Sequence, residues 1–242
     1  MATNIFLGFP PENIKQFIIE NYGPKEDPML KVPLHFTANE DSSSVSLVCW
    51  NDKMYDFIDS WCKLDYSMDG KSWNTYIDPD SEDETLHRGK VINLNKGETV
   101  YFKAILGNAE GNPNLDGFAY YDDEFGLIKW HYFVMKGSIK ADGNIQFLLE
   151  NTGTKTDVPD FCYYNIFCNY EDYNTALTQA PVLPATTLAD RCYDSMFLNC
   201  SSLTQAPALP ATTLADRCYE NMFNGCTSLT KAPELPAETL AN

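Results

Sequence analysis

One repeated unit limits what this chain can fold into more than any other feature. Leu177, Leu203 and Leu229 lie 26 residues apart, and Pro181, Pro207 and Pro233 keep the same step. Cys192 and Cys218, Cys200 and Cys226, and Phe197 and Phe223 repeat with it. A fixed period of this length marks units that cannot bury their apolar edge alone and do so by stacking on their neighbours. The segment Cys162–Phe167 matches Cys192–Phe197, with four extra residues before Leu177, and reads as a degenerate first coil that caps the stack. The period therefore predicts a solenoid over residues 161–242. Short parallel strands and short helical turns should form it, with the leucine, cysteine and phenylalanine positions turned inward. So regular a surface suits binding or a structural role better than catalysis.

The rest of the chain bounds the function further. Its 242 residues suit one large or two modest domains, and 44% hydrophobic with 13% aromatic content is ample for a packed core. No run of 18 apolar residues marks a membrane span. The start, Met1 to Gly8, lacks a basic region and runs at once into Pro10-Pro11-Glu12, so it does not read as a secretory signal. A formal charge of −17 repels phosphate backbones and anionic membranes, which argues against nucleic acid and membrane partners. Six of the eight cysteines fall at repeat-related places and are expected as buried, reduced thiols. A disulfide between adjacent coils stays open at this point, because spacing does not settle connectivity. Zinc is disfavoured: the Cys-x₇-Cys spacing is not a usual metal knuckle, and His35, His87 and His131 all lie outside the repeats. No cofactor is expected.

Taken in order, residues 1–28 read as a helix and linker. Pro10-Pro11-Glu12 starts the helix, Ile14, Phe17, Ile18 and Tyr22 form one apolar stripe, and Gly23-Pro24 ends it. The stripe either packs on its own domain or anchors the protein on another, and the proline-flanked position favours the anchor. Residues 29–126 read as a β-sandwich. Leu30, Val32, Leu34 and Phe36 alternate, as do Val45, Leu47 and Cys49, and Asp69-Gly70 marks a hairpin turn between Leu64 and Tyr76. Residues 127–160 are expected to bridge to the repeats without a flexible linker. Two acidic stretches invite a calcium reading. Residues 78–84 lack the glycine such a loop needs, and the 112–123 loop begins with Asn and ends with a short Asp, so both read as plain loops.

The segments Leu203-Thr-Gln-Ala-Pro-Ala-Leu-Pro-Ala-Thr-Thr-Leu-Ala215 and Cys218-Tyr-Glu-Asn-Met-Phe-Asn-Gly-Cys226 resemble the BspA-type leucine-rich repeats. These occur in surface proteins of Bacteroidota and in phages that infect them. Phe133–Ile139 and Gly143–Gln146 resemble the lead-in to such repeats, and the strands near Pro33–Ala38 and Leu64–Trp73 are similar to a module found with them. The resemblance covers roughly residues 30–242 and implies adhesion or display, with no catalytic residues to carry over. A virion protein needs no export signal, so the expectation is a head or tail fibre of a crAss-like Bacteroides phage, a homo-trimer. Its N-terminus would dock on capsid or tail proteins, and its repeats would meet a host protein or glycan. A bacterial cell-surface adhesin and an intracellular scaffold are the alternatives. An enzyme is disfavoured, since no nucleophile elbow, HExxH, Walker loop or dinucleotide fingerprint is present and the Asp122-Asp123-Glu124 run fits chance in an acidic chain.

Overall fold

The computed structural model describes residues 27–51, 64–76, 86–105, 117–122, 126–168 and 176–239. These are mainly β, arranged in two sheets with almost no helix. The stripe of Ile14, Phe17, Ile18 and Tyr22, the acidic stretch 78–84, most of the 112–123 loop, and Asp123 with Glu124 lie outside the described residues.

The strands in chain order are β1 (His35–Ala38), β2 (Ser43–Asn51), β3 (Leu64–Ser67), β4 (Asn74–Thr75), β5 (Leu86–Arg88), β6 (Ile92–Leu94), β7 (Thr99–Ala104), β8 (Ala119–Asp122), β9 (Gly126–Lys136), β10 (Ile139–Asp142) and β11 (Leu177–Gln179). One sheet runs β11-β10-β1-β7-β3-β4; the other runs β5-β2-β9-β8, with β6 also paired to β2. The alternation expected from Leu30 gives way at its start. Asp27 caps a short 3-10 helix at Pro28–Lys31, its carboxylate accepting the Met29 N–H at 2.8 Å. Proline at the first helical position and an Asp cap outweigh three residues of period-two patterning, so β1 begins only at His35.

The alternation is kept on β1, β6, β7 and β10. By contrast β2, expected to alternate at Val45, Leu47 and Cys49, is buried on both faces from Ser43 to Cys49, because Tyr132, Val134 and Trp130 pack beside Val48 on its second face. On β7, Val100, Phe102 and Ala104 are buried while Thr99, Tyr101 and Lys103 are half-buried. Phe36 of the first sheet meets Phe133 of the second at 4.8 Å between ring centres, and Phe102 meets Phe133 at 5.4 Å. Tyr76 ties the sheets by a hydroxyl that donates to the Lys90 carbonyl at 2.6 Å and accepts the Leu47 N–H at 3.0 Å. In the β3–β4 turn, Asp69 accepts the N–H groups of Ser72 and Lys71 and the Ser67 and Ser72 hydroxyls, which hold its carboxyl well below the usual range.

The segment expected to bridge, residues 127–160, contains two sheet strands. β9 pairs with β2 from Ser44↔Lys136 to Asn51↔Lys129, with Trp50 and Trp130 stacked at 4.2 Å on directly opposed positions. β10 pairs antiparallel with β1 and, on its other edge, parallel with β11, Ile139 opposite Leu177. The first Leu-Thr-Gln of the repeats is thus a strand of the N-terminal sheet. The core passes through this junction without a break, one buried cluster running from Leu34 and Phe36 to Met222 and Cys226.

Candidate interaction surface

Each repeat divides into a Cys-Tyr arc and a Leu-Thr segment. The arcs lie at 161–167, 191–200 and 217–226. In the middle arc, Arg191, Tyr193, Ser195, Phe197 and Asn199 donate their N–H groups to carbonyls of the next repeat, Asp216, Cys218, Glu220, Met222 and Asn224, at 2.8–3.0 Å. The intervening N–H groups of Cys192, Asp194, Met196, Leu198 and Cys200 turn back to the carbonyl three residues earlier, at 3.0–3.3 Å. Arg191, Ser195 and Asn199 adopt φ of 52°, 55° and 62° to allow this. The helical turns expected here are therefore replaced by a chain of tight turns. A helix would use every N–H within its own coil, whereas this arrangement sends alternate donors to the neighbour. The first arc keeps the same pattern, from Phe161, Tyr163, Asn165 and Phe167 to Asp190, Cys192, Asp194 and Met196, with four extra residues in the step.

This geometry sets the side chains in columns. Tyr163, Tyr193 and Tyr219 stack at 5.7 and 5.9 Å, and Phe167, Phe197 and Phe223 at 5.4 and 5.7 Å. Both columns continue into the two-sheet body, the first through Phe118 (6.0 Å from Tyr163) and the second through Phe133 (5.9 Å from Phe167). Phe118 and Phe133 carry no repeat signature, and sequence reading did not find their role. Leu177 and Leu203 are fully buried and Leu229 is half-buried. Phe197 is buried and Phe223 half-buried, because among the described residues no further coil covers the third.

Cys192, Cys200, Cys218 and Cys226 are buried free thiols. Cys200 and Cys226 donate S–H to the carbonyls of Phe167 and Phe197 in the preceding coil, at 3.5 and 3.1 Å, so sulfur also ties the coils together. Burial pushes these thiols up, Cys226 to about 11 and Cys200 further. Such thiols are poor nucleophiles and poor metal ligands at neutral pH. Among the described residues no group of three or more His, Cys, Asp or Glu could hold a metal ion, and no helix is long and apolar enough to cross a membrane.

The outward side chains also fall in register. Asp160 accepts the Asp190 N–H at 2.9 Å and Asp190 accepts that of Asp216 at 3.1 Å, each carboxylate capping the arc that follows. Arg191 bridges Asp194 at 2.7 Å and Glu220 at 3.0 Å; burial raises the Asp194 carboxyl against the pull of Ser195 and Arg191. On the opposite edge, Thr204 and Gln205 of one repeat and Thr230 and Lys231 of the next are exposed. Between these Leu-Thr segments opens a groove of about 650 Å³, walled by residues 204–210, 230–234 and Pro236, four of them prolines, with no aromatic ring in its lining. The outward column was latent in the period, at the two positions after each repeat leucine. Attention to the inward positions passed over it.

No family model, curated protein or solved structure matches this chain.

Proposed function

We propose that this chain is a non-enzymatic attachment protein. In this reading the two sheets form a β-sandwich, and the stacked repeats form a leucine-rich-repeat solenoid of the BspA type, as in Bacteroidota surface proteins and their phages. The protein is a head or tail fibre, a homo-trimer whose residues 1–28 dock on the particle and whose repeats meet a host surface protein or glycan. One observation carries the reading: the repeats spend their apolar and sulfur side chains inward and hold polar side chains outward at the same two positions on one edge, Thr204-Gln205 and Thr230-Lys231. A rigid row of polar groups at coil spacing suits contact with an extended surface. The buried thiols, raised by desolvation, add no reactive centre to it.

The anchor is tested by deleting residues 1–23 from the gene in the particle's genome. The truncated protein should fold, by circular dichroism and melting, and be missing from purified particles. Incorporation at normal copy number would move the anchor elsewhere.

A further inference from the structure

We propose that the groove between residues 204–210 and 230–236 binds an extended polypeptide segment of a partner protein, added as a parallel strand along residues 230–234. The proposal rests on the attachment reading and names the partner class at that same edge.

The template lies inside the molecule. The first Leu-Thr segment is covered on this edge by β10 and the residues after it. There Ile139 donates to the Ala176 carbonyl at 2.8 Å, Val182 donates to Gly143 at 2.8 Å, and Ile145 donates to Val182 at 3.2 Å. Thr178 adds its hydroxyl to the Ile139 carbonyl at 3.0 Å. Two repeats on, Thr230 stands where Thr178 does and Glu234 where Val182 does. The sequence positions that take a strand in the first repeat therefore recur in the third, where they face residues 204–210 across the groove.

That edge is open. Between the first and second segments the remaining backbone bond is Thr204 to Thr178, at 3.3 Å. Between the second and third, no hydrogen bond joins 203–210 to 229–236 among the described residues. The arcs of the same two coils stay zipped, with Phe197 and Phe223 at 5.7 Å. The coils are thus unpaired over 203–210 alone, for beyond the prolines Glu238 donates to the Thr212 carbonyl and Leu214 to the Thr239 carbonyl, each at 3.2 Å. Pro207, Pro210, Pro233 and Pro236 have no N–H to give, which removes four of the donors that pairing between the two walls would use. An incoming strand can pair there, accepting the Glu234 N–H and donating to the Glu234 carbonyl as Gly143 and Ile145 do for Val182. The groove volume of about 650 Å³ falls within the usual range of ligand clefts, about 300–1,000 Å³. A sugar ring would find no aromatic face here, and Lys231 with Glu234 leaves the rim locally neutral.

Short random peptides displayed on a carrier are selected against the immobilised full chain, and the winners are measured in solution. Glu234→Pro removes the donor and should weaken binding about tenfold or more, the effect of losing about 1.4 kcal/mol. Glu234→Ala keeps the N–H and should bind as the parent does. Should Glu234→Pro disturb folding, hydrogen exchange on the parent decides: bound peptide should slow exchange at the amides of Lys231, Ala232, Glu234 and Leu235. Failure to select any peptide, equal affinity for Glu234→Pro, or unchanged exchange at those amides would each overturn the proposal. Binding of a glycan array in place of peptides would assign the groove to a sugar. Saturable binding to cells by a chain that selects no peptide would leave the attachment reading standing and remove this one.

Discussion

Two tyrosines at equivalent repeat positions show how far context separates like residues. The Tyr163 hydroxyl donates to the Gln146 side-chain oxygen at 2.7 Å. The Tyr193 hydroxyl, equally buried, has no partner among the described residues. Tyr163→Phe should therefore cost about 1–3 kcal/mol, leaving the Gln146 side-chain oxygen without its donor, whereas Tyr193→Phe should be neutral or stabilise by about 1 kcal/mol. Denaturant melts of the two variants check the opposite signs. The thiols make a second prediction. Cys226 is raised to about 11 and Cys168 to about 12, while unfolded thiols ionise near pH 8.5. Above that pH the unfolded chain loses protons that the folded chain keeps, so stability is full below it and falls as pH rises through 11 and 12. The melting temperature should drop steadily above about pH 9; a flat profile to pH 11 would contradict the burial. At this scale the period made the cysteine, leucine and phenylalanine positions legible. The difference between Tyr163 and Tyr193 was not, because it depends on Gln146, which lies outside the repeats.

Among the elements, the chain of turns depends on a left-handed residue at every fourth position. Asn221 holds φ at 52° and is exposed. Asn221→Val should cost about 1–2 kcal/mol through backbone strain alone, although an ordinary surface change stays within about 0.5 kcal/mol. A variant as stable as the parent in urea would remove that conformation. No sequence signal marks these positions, since arginine, serine and asparagine occupy them as well as Gly225. Turn chemistry was readable where a glycine or an Asp cap stood in a short loop, as at Asp69-Gly70. It was misread at Leu30 and Val32, where two apolar residues matched a strand while Asp27 and Pro28 dictated a 3-10 helix. β9 and β10 fall in the segment that reads as a bridge, because the repeats set its boundary. Their pairing with β2 and β1 is non-local, and no local pattern encodes it.

For the whole molecule, the aromatic columns join the two-sheet body to the repeats through Phe118 and Phe133. Isolated repeat arrays gain stability unit by unit, but a shared core couples their unfolding to the body. All four tryptophans, at 50, 61, 73 and 130, precede the arcs, and Cys192, Cys200, Cys218 and Cys226 lie within them. Tryptophan fluorescence and thiol labelling should thus report one coincident urea transition, and thiols exposed well before the fluorescence changes would separate the two parts. In the proposed attachment, this stack meets a cell surface through its outward polar edge. The direct measurement is saturable binding of labelled full chain to a panel of Bacteroidota cells, for the parent and for a Gln205→Ala/Thr230→Ala/Lys231→Ala variant that melts like it. Attachment through the repeats requires saturable binding to at least one strain and its loss in the variant. Binding that never saturates, or that survives the three substitutions unchanged, would contradict it.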